Sequence, residues 1–459
     1  MGRVENFRQL VANGKNPRLQ EMRAIGLNLF ELALDAIDPA ACIRRHVVRQ
    51  GASIEINERS FSLSGIEKVI LVGAGKAAAG MAAEITKILR GIPFEGAIAV
   101  PKVLPNIPTL PDSLHIFRAS HPIPDEVSQE AAKTIFALVE RATPRDLVIA
   151  VISGGASALL EIPADPISLE EIKQLNNLLL KCGANIIEIN TIRKHVSAIK
   201  GGNLARRCAR ASLVGLVISD VVGDSLEVIA SGPTVPDEST FTDAMNIVNK
   251  YQILYQLPKN VRDRLEAGVK GSITETPKPD DPVFQNVTTS LAGSVTDAIR
   301  VIEDYANQAG WPCELLSRAF TGEARDRGKE FIASLPLAGL SPGCNVFLQT
   351  GELTVTIRGN GVGGRNQEMV LAMVPSIPPT PPITILSAGM DGIEGNSPAA
   401  GAIVDNKSMT RARRLKLDPA TFLGRNDSYH YFEKLGDAII TGITGTNVND
   451  LTITLAWGE

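Results

Sequence analysis

Apolar positions along the chain gather into short uninterrupted runs, separated by longer stretches in which they recur every three or four residues. Residues 22–48 carry the helical spacing, broken at Asp38-Pro39, where a cap residue precedes a proline suited to a first helical turn; two helices joined at Asp38 are predicted. The run Val69-Ile70-Leu71-Val72, a glycine turn, an alanine-rich helical stretch to about Arg90 and the run Ala97-Ile98-Ala99-Val100 predict strand, helix, strand. The alternation continues with a helix over 125–141, a strand over 147–152, a helix near 168–185 and a strand over 213–218. Continuous apolar strands alternating with helices of this length predict an α/β fold, a mostly parallel sheet with helices on both faces.

The segment 274–282, Thr-Glu-Thr-Pro-Lys-Pro-Asp-Asp-Pro, can continue neither a helix nor a central strand. A domain boundary is expected there, giving domains 1–280 and 281–459. Beyond it, helices over 295–308 and 322–334 and β runs at 313–316, 346–349 and 355–357 predict a second, smaller α/β domain. The uncharged stretch 369–390 is long enough to cross a bilayer, but it holds Pro375, Pro378, Pro379, Pro381 and Pro382. It reads as a helix end, a proline loop and a strand, so no membrane partner is expected.

Composition narrows the function classes. A chain of 459 residues exceeds one small core. Its 46 Lys+Arg against 50 Asp+Glu leave no basic excess for a phosphate backbone, so no nucleic-acid partner is expected. Cys42, Cys182, Cys208, Cys313 and Cys344 are odd in number and widely scattered, which fits neither a disulfide framework nor a metal clip. With charges at Arg3 and Glu5, where an export signal needs an apolar run, the expected location is the cytoplasm.

Four glycine-rich or basic segments carry candidate chemistry. Gly73-Ala74-Gly75-Lys76-Ala77-Ala78 satisfies G-x-G-x-x-A between a strand and a helix, the loop that brings backbone N–H groups to a phosphate. A dinucleotide site also needs an acid at the end of the second strand, where Pro101-Lys102 stands, and Ile70 and Ala77 exclude a Walker loop. A tight turn between packed elements is the other reading. Lys76 favours the anion, because a cation at a helix N-terminus opposes the helix dipole. Ser153-Gly154-Gly155-Ala156-Ser157 follows another strand and presents small residues where open α/β sheets bind ligands; phosphate or carboxylate binding and plain turn chemistry both stay open.

The run Arg193-Lys194-His195-Val196-Ser197-Ala198-Ile199-Lys200-Gly201-Gly202-Asn203 reads as an anion pocket or as a solvated basic face. Asp220, closing the next strand, suits Mg²⁺ through water or a helix cap. In the second domain Gly359-Asn360-Gly361-Val362-Gly363-Gly364 leads to Arg365-Asn366-Gln367-Glu368. Either these glycines supply backbone angles that other residues avoid and let the Arg365 loop adjust, or they form a structureless hinge. Ser387-Ala388-Gly389-Met390-Asp391-Gly392 offers a carboxylate beside small residues, and Gly442 to Asp450 is a further Gly/Thr/Asn loop before a last strand.

Together, Val72-Gly-Ala-Gly-Lys-Ala77, Ser153-Gly-Gly-Ala-Ser157, Arg193 to Gly202, Ser231-Gly-Pro-Thr234, Gly361 to Glu368, Ser387 to Gly392 and Gly445-Thr-Asn-Val-Asn-Asp450 form an ordered set from about residue 20 to the end. In this set the chain resembles the class II glycerate kinases, glycerate 2-kinases of the MOFRL family whose members are sometimes labelled hydroxypyruvate reductases. The resemblance implies an N-terminal Rossmann-like domain, a C-terminal MOFRL-type domain and a site in the cleft between them. It implies ATP, Mg²⁺ and D-glycerate, giving 2-phosphoglycerate and ADP, with Lys76, Arg365 and Asp391 as the central polar groups. Two segments depart from the family pattern: Gln349-Thr350-Gly351-Glu352 stands where Ser-Gly-Gly-Glu is usual, and Gly293-Ser294-Val295 where Gly-Ser-Asn is usual.

On this reading Lys76 and Arg365 neutralise charge on the transferring phosphoryl or the substrate carboxylate, and Asp391 holds Mg²⁺ or the glycerate hydroxyl. Substrate or phosphate contacts are expected from Gly73, Gly75, Ser153, Gly154, Gly155, Ser157, Arg193, Lys200, Gly201, Gly202, Glu352 and Asn366, and a metal contact from Asp220. A homodimer is compatible with the resemblance. Rival readings are an NAD(P)H-dependent hydroxypyruvate reductase, favoured by G-x-G-x-x-A alone, and a nucleotide-sensing binding protein, which has no need of Arg365 and Asp391.

Overall fold

The structure, a computed structural model, describes every residue except Met1, Glu58, Pro105, Asn106, Ala209 and Asn447. Asn447, within the late Gly/Thr/Asn loop, therefore lies outside the described residues. The chain forms two compact units, one of Pro39–Gly293 and one of Met1–Asp38 with Ser294–Glu459.

The first unit is built on six parallel strands lying in the order Leu114–Ala119, Phe94–Pro101, Lys68–Ala74, Asp146–Ile152, Ser212–Ile218, Val287–Gly293. In chain order this is 3-2-1-4-5-6, the doubly wound arrangement in which the direction of strand addition reverses between the first and fourth strands. Every residue of Asp146–Ile152 is buried, which explains its unbroken apolar run. The alanines of the helix Ala78–Ile88 bury Ala78, Ala79, Ala82 and Ala83, and Asp125 caps Glu126–Glu140 through the Ser128 amide at 3.0 Å. The helices Leu169–Lys181, Ile186–Val196, Phe241–Lys250 and Lys259–Val269 enclose a second core around Leu175, Ile192, Phe241 and Leu265.

Several parts of this unit were not evident from the apolar pattern, the strand Val287–Gly293 and the helices Ile186–Val196, Phe241–Lys250 and Lys259–Val269 among them. Leu114–Ala119 is an edge strand whose exposed His115 and Arg118 break any apolar run. The predicted helix to residue 48 stops at His46, and Val47–Gln50, Ser53–Ile56 and Arg59–Ser62 form a small antiparallel sheet.

The second unit holds a mixed sheet ordered Cys313–Glu323, Gly343–Thr354, Asp450–Gly458, Ile383–Ala388, Gly401–Asp405, Ala438–Ile439, with the helices Val295–Gln308, Ala324–Ser334 and Arg365–Met373 as predicted in kind. The expected strand at 355–357 does not form: Thr356 gives its amide to Glu323 at 3.1 Å, and Ile357 is 80% exposed. Residues 369–390 resolve into the end of the Arg365–Met373 helix, the prolines and the strand Ile383–Ala388. Among the described residues no helix is long and apolar enough to cross a membrane.

The division corrects the expected boundary at 280/281. Val287–Gly293 is the sixth strand of the parallel sheet, so the Pro-rich segment is a connection within the first unit. At the other end, Arg23 on Pro17–Ala36 is fully buried and donates to Asp405 at 2.6 Å, Asp437 at 2.9 Å and the Leu10 carbonyl at 2.9 Å. Removing this buried cation would take away the Asp405 ion-pair partner and leave Asp437 to Arg411 alone, which is why the first 38 residues are bound into the second unit.

Candidate active site

At the switch point of the parallel sheet, the two glycine loops interlock. Gly75 donates to Ala99 O at 3.1 Å, Lys76 N to Gly154 O at 3.0 Å, and Ala77 N to Ser153 Oγ at 3.0 Å. A Cβ on Gly73 would lie 1.9 Å from Val151 O, and one on Gly75, whose φ is +130°, 2.1 Å from Ser153 Oγ. Gly73 and Gly75 therefore serve close approach, and the first loop's amides are spent on the neighbouring strand and the second loop. This corrects the expectation that they cradle phosphate; buried Ser153 is a strut rather than a ligand contact. The amides of Gly154 and Gly155, by contrast, donate to no partner among the described residues.

The half-exposed Lys76 remains at the switch point, and with it a residue the sequence reading passed over. His121 follows the edge strand, and its ring lies 3.1 Å from where a Gly155 Cβ would stand, so Gly155, at φ +87°, has both a conformational and a steric reason to be glycine. Partial burial and the Lys76 charge hold the His121 imidazole below its ordinary pKa.

Ser231, which the sequence places in a motif without assigning it a role, is a second such group. Ala230 and Ser231 adopt φ of +54° and +58°, a left-handed pair without a glycine that costs about 1–3 kcal/mol per residue. Ser231 Oγ donates to Asn190 Oδ1 at 2.9 Å and lies 3.3 Å from Ser157 Oγ, forming a hydroxyl chain at the carboxyl edge of the sheet. Gly201 and Gly202 hold this turn, donating to Ser231 O at 2.9 Å and Gly232 O at 2.7 Å.

The basic run is neither a solvated face nor one anion pocket. Arg193 donates to Asn176 at 2.7 Å, Lys194 to Asp237 at 3.1 Å, and buried Lys200 to Glu161. Burial pulls the Lys200 pKa down against the Glu161 charge. These groups are each tied to a different structural partner instead of meeting ligand together. Asp220 lies just past the strand Ser212–Ile218, and no group of three His, Cys, Asp or Glu able to hold a metal is found among the described residues.

In the second unit, Arg365 opens the helix Arg365–Met373 and grips Asp450 with two donors, Nη2 to Oδ1 at 2.9 Å and Nε to Oδ2, while Nη1 reaches Glu352 at 3.0 Å. Burial opposes its charge, but the bonds and charge of Asp450, with Glu352 and Glu394, raise its pKa. Glu394, also missed, accepts from the amides of Asn366 at 2.7 Å and Gln367 at 2.8 Å at the helix start. Burial first, then the Asp450 charge, push its carboxyl up to about 8. Asp391 Oδ1 and Asp450 Oδ1 lie 3.2 and 3.4 Å from the Cβ position of Gly389, so two carboxylates converge on one point where glycine leaves space. Asn366 is buried, its Oδ1 accepting from Ser387 Oγ at 2.7 Å, and acts in support rather than as an open contact.

Known proteins match the chain over most of its length. A family described as a domain of unknown function, DUF4147, matches residues 26–266, and the MOFRL family matches residues 345–450. A glycerate 2-kinase of Pyrococcus horikoshii is 39% identical over 441 residues, 95% of this chain and 97% of its own. A D-glycerate 2-kinase of Thermotoga maritima is 39% identical over 85% of this chain and 91% of its own. The chain belongs to the glycerate 2-kinase family. The crystal structure of Thermotoga maritima glycerate kinase superposes with a TM-score of 0.82 at 34% identity, covering 95% of this chain and 100% of that one. A Pyrococcus horikoshii structure gives 0.81 at 37% identity, over 95% of this chain and 99% of that one. The first matched family region carries Lys76, Ser157 and Ser231; the MOFRL region carries Arg365, Asp391, Glu394 and Asp450. Of the residues that depart from the glycerate kinase pattern, Val295 is buried at the start of the helix Val295–Gln308, which Ser294 caps through the Thr296 amide at 3.2 Å, and Thr350 donates to Arg318 O at 3.3 Å.

Proposed function

We propose that the chain transfers the terminal phosphoryl group of ATP to the 2-hydroxyl of D-glycerate, forming 2-phosphoglycerate and ADP, with groups of both units required. The observation that carries this reading is the chemistry at the switch point. Where a nicotinamide dinucleotide needs a ribose-binding acid, the second strand ends in Pro101 and Lys102, and Lys102 is paired to Asp125 at 2.6 Å. Lys76 and the Gly154 and Gly155 amides provide positive charge there.

Phosphoryl transfer asks the protein for charge neutralisation and in-line positioning. Lys76 neutralises phosphate charge, and the Ser157–Ser231–Asn190 chain positions a substrate hydroxyl or carboxylate. Arg365, oriented by Asp450, clamps phosphate or carboxylate with its remaining donors. Asp391 accepts the proton of the attacking hydroxyl or holds it in line. Mg²⁺ suits a set of one or two carboxylates completed by substrate phosphate and water, so Asp391 or Asp220 fits as its protein ligand, and it would supply further charge neutralisation. The test runs two assays on one preparation: Mg²⁺-dependent ADP release with ATP and D-glycerate, and NAD(P)H oxidation with hydroxypyruvate. ADP release with 2-phosphoglycerate formation is expected. NAD(P)H oxidation without ADP release overturns the assignment.

A further inference from the structure

Within the first unit lies a cavity of about 420 Å³, in the size range of small-molecule sites, to which none of the interlocked glycine loops contributes. It is lined by Arg206, Arg207 and Arg264 together with Lys194, His195 and Glu275, from three helices and the Pro-rich connection. Several of these charges are answered. Lys194 meets Asp237 at 3.1 Å, Arg207 meets Glu140 at 2.7 Å, and His195 gives Nδ1–H to Thr191 O at 2.7 Å with Nε2 3.2 Å from Glu275.

Arg264 is not answered in this way, and Arg206 is answered only by a longer ion pair. Arg264 spends only Nε, on the His195 carbonyl at 2.8 Å, and has no carboxylate at ion-pair distance among the described residues. Burial lowers its pKa against the field of Asp165, the mark of a cation desolvated without a matching anion. Arg206 donates to Asn203 Oδ1 at 3.2 Å and the Glu275 carbonyl at 3.0 Å, with Asp281 no nearer than 3.6 Å.

We propose that this cavity binds the phosphate group of a small phosphorylated metabolite between Arg206 and Arg264. A guanidinium fork pairs with two oxygens, so one fork occupies a carboxylate, whereas a phosphate monoester offers three terminal oxygens and two negative charges for a pair of forks. The volume beyond the phosphate admits a short carbon chain. Occupancy bears on the candidate active site through the chain itself. Ser197, Ala198 and Asn203 line the cavity, and Gly201 and Gly202 between them hold the Ser231 turn. The site is therefore placed to tune the Ser231 hydroxyl chain; that consequence alone rests on the kinase reading.

Titration calorimetry of the full chain carrying Lys76→Ala, which weakens anion binding at the glycine loops, uses inorganic phosphate as the probe and succinate as the carboxylate control. One phosphate per chain is expected, bound at least tenfold tighter than succinate. Adding Arg264→Gln or Arg206→Gln should weaken phosphate at least tenfold, and Arg264→Lys, which keeps the charge but loses the fork, at least threefold. Should Arg264→Gln unfold the helical layer, Arg206→Gln, on a part-exposed side chain, carries the test alone. Phosphate affinity unchanged in Arg206→Gln, or succinate bound as tightly as phosphate, overturns the proposal whatever reaction the protein catalyses.

Discussion

Lys76 and Glu394 show how one side chain sets the behaviour of its neighbours. Because Lys76 disfavours the His121 imidazolium, Lys76→Ala should raise the His121 pKa toward its ordinary 6.5 while cutting turnover by about 10²-fold or more, the scale for a preorganised charge contact. Proton NMR titration of His121 beside steady-state rates checks both. An unmoved His121 in an enzyme of normal turnover contradicts the placement. Glu394 gives a pH dependence of opposite sign to that of an ordinary carboxylate. Its pKa is raised from 4.5 to about 8, so between those values the folded chain keeps a proton that the unfolded chain has released. Stability should therefore fall as pH rises through that window, by at most about 1.4 kcal/mol per pH unit from this group. Thermal unfolding across the window should show the fall in the wild type and a flatter profile in Glu394→Gln. Equal slopes in both proteins contradict the assignment.

At the level of elements, the glycines before Arg365 are required for a reason their spacing did not reveal. None of Gly359, Gly361, Gly363 and Gly364 has a positive φ. Instead a Cβ at Gly359 would lie 2.5 Å from Arg425 O, at Gly361 2.5 Å from Asp427 Cβ, and at Gly364 2.5 Å from Glu394 Cγ. The loop is packed close against its neighbours rather than free to swing. Gly359→Ala should cost roughly 1–3 kcal/mol, the usual range for overpacking, whereas Gly424→Ala, with nothing within 4 Å, should be near neutral. Chemical denaturation of the two variants distinguishes them; equal midpoints would remove the steric argument. The pattern of apolar runs was enough to place four of the six parallel strands and the glycine loops that follow two of them, because burial on both faces writes continuous runs. Glu394 and His121, and the roles of Asp450 and Ser231 within their motifs, were hidden for the opposite reason. Each is a single polar residue whose role depends on partners far along the chain, as Asp450 on Arg365, 85 residues before it. The basic run misled because periodicity does not reveal that Lys194, His195 and Lys200 are buried and paired with Asp237, Glu275 and Glu161.

On the scale of the whole chain, sequence order and compact unit part company at residue 38, and Arg23 is the cause. Arg23→Met should destabilise the unit containing Asp405 and Asp437 by about 3–5 kcal/mol, since both carboxylates lose a buried partner. Hydrogen exchange should show faster opening in the strand Gly401–Asp405 and little change in Asp146–Ile152; uniform acceleration in both strands contradicts this division of stability. The proposed chemistry is also shared across the division, with Lys76 in one unit and Arg365 and Asp391 in the other. Rapid-quench measurement of a single phosphoryl transfer from ATP to D-glycerate tests that sharing most directly. Lys76→Ala and Arg365→Ala should each slow formation of 2-phosphoglycerate by about 10²-fold or more with folding intact. Wild-type transfer in either variant, or full activity from residues 39–293 expressed alone, would contradict the account.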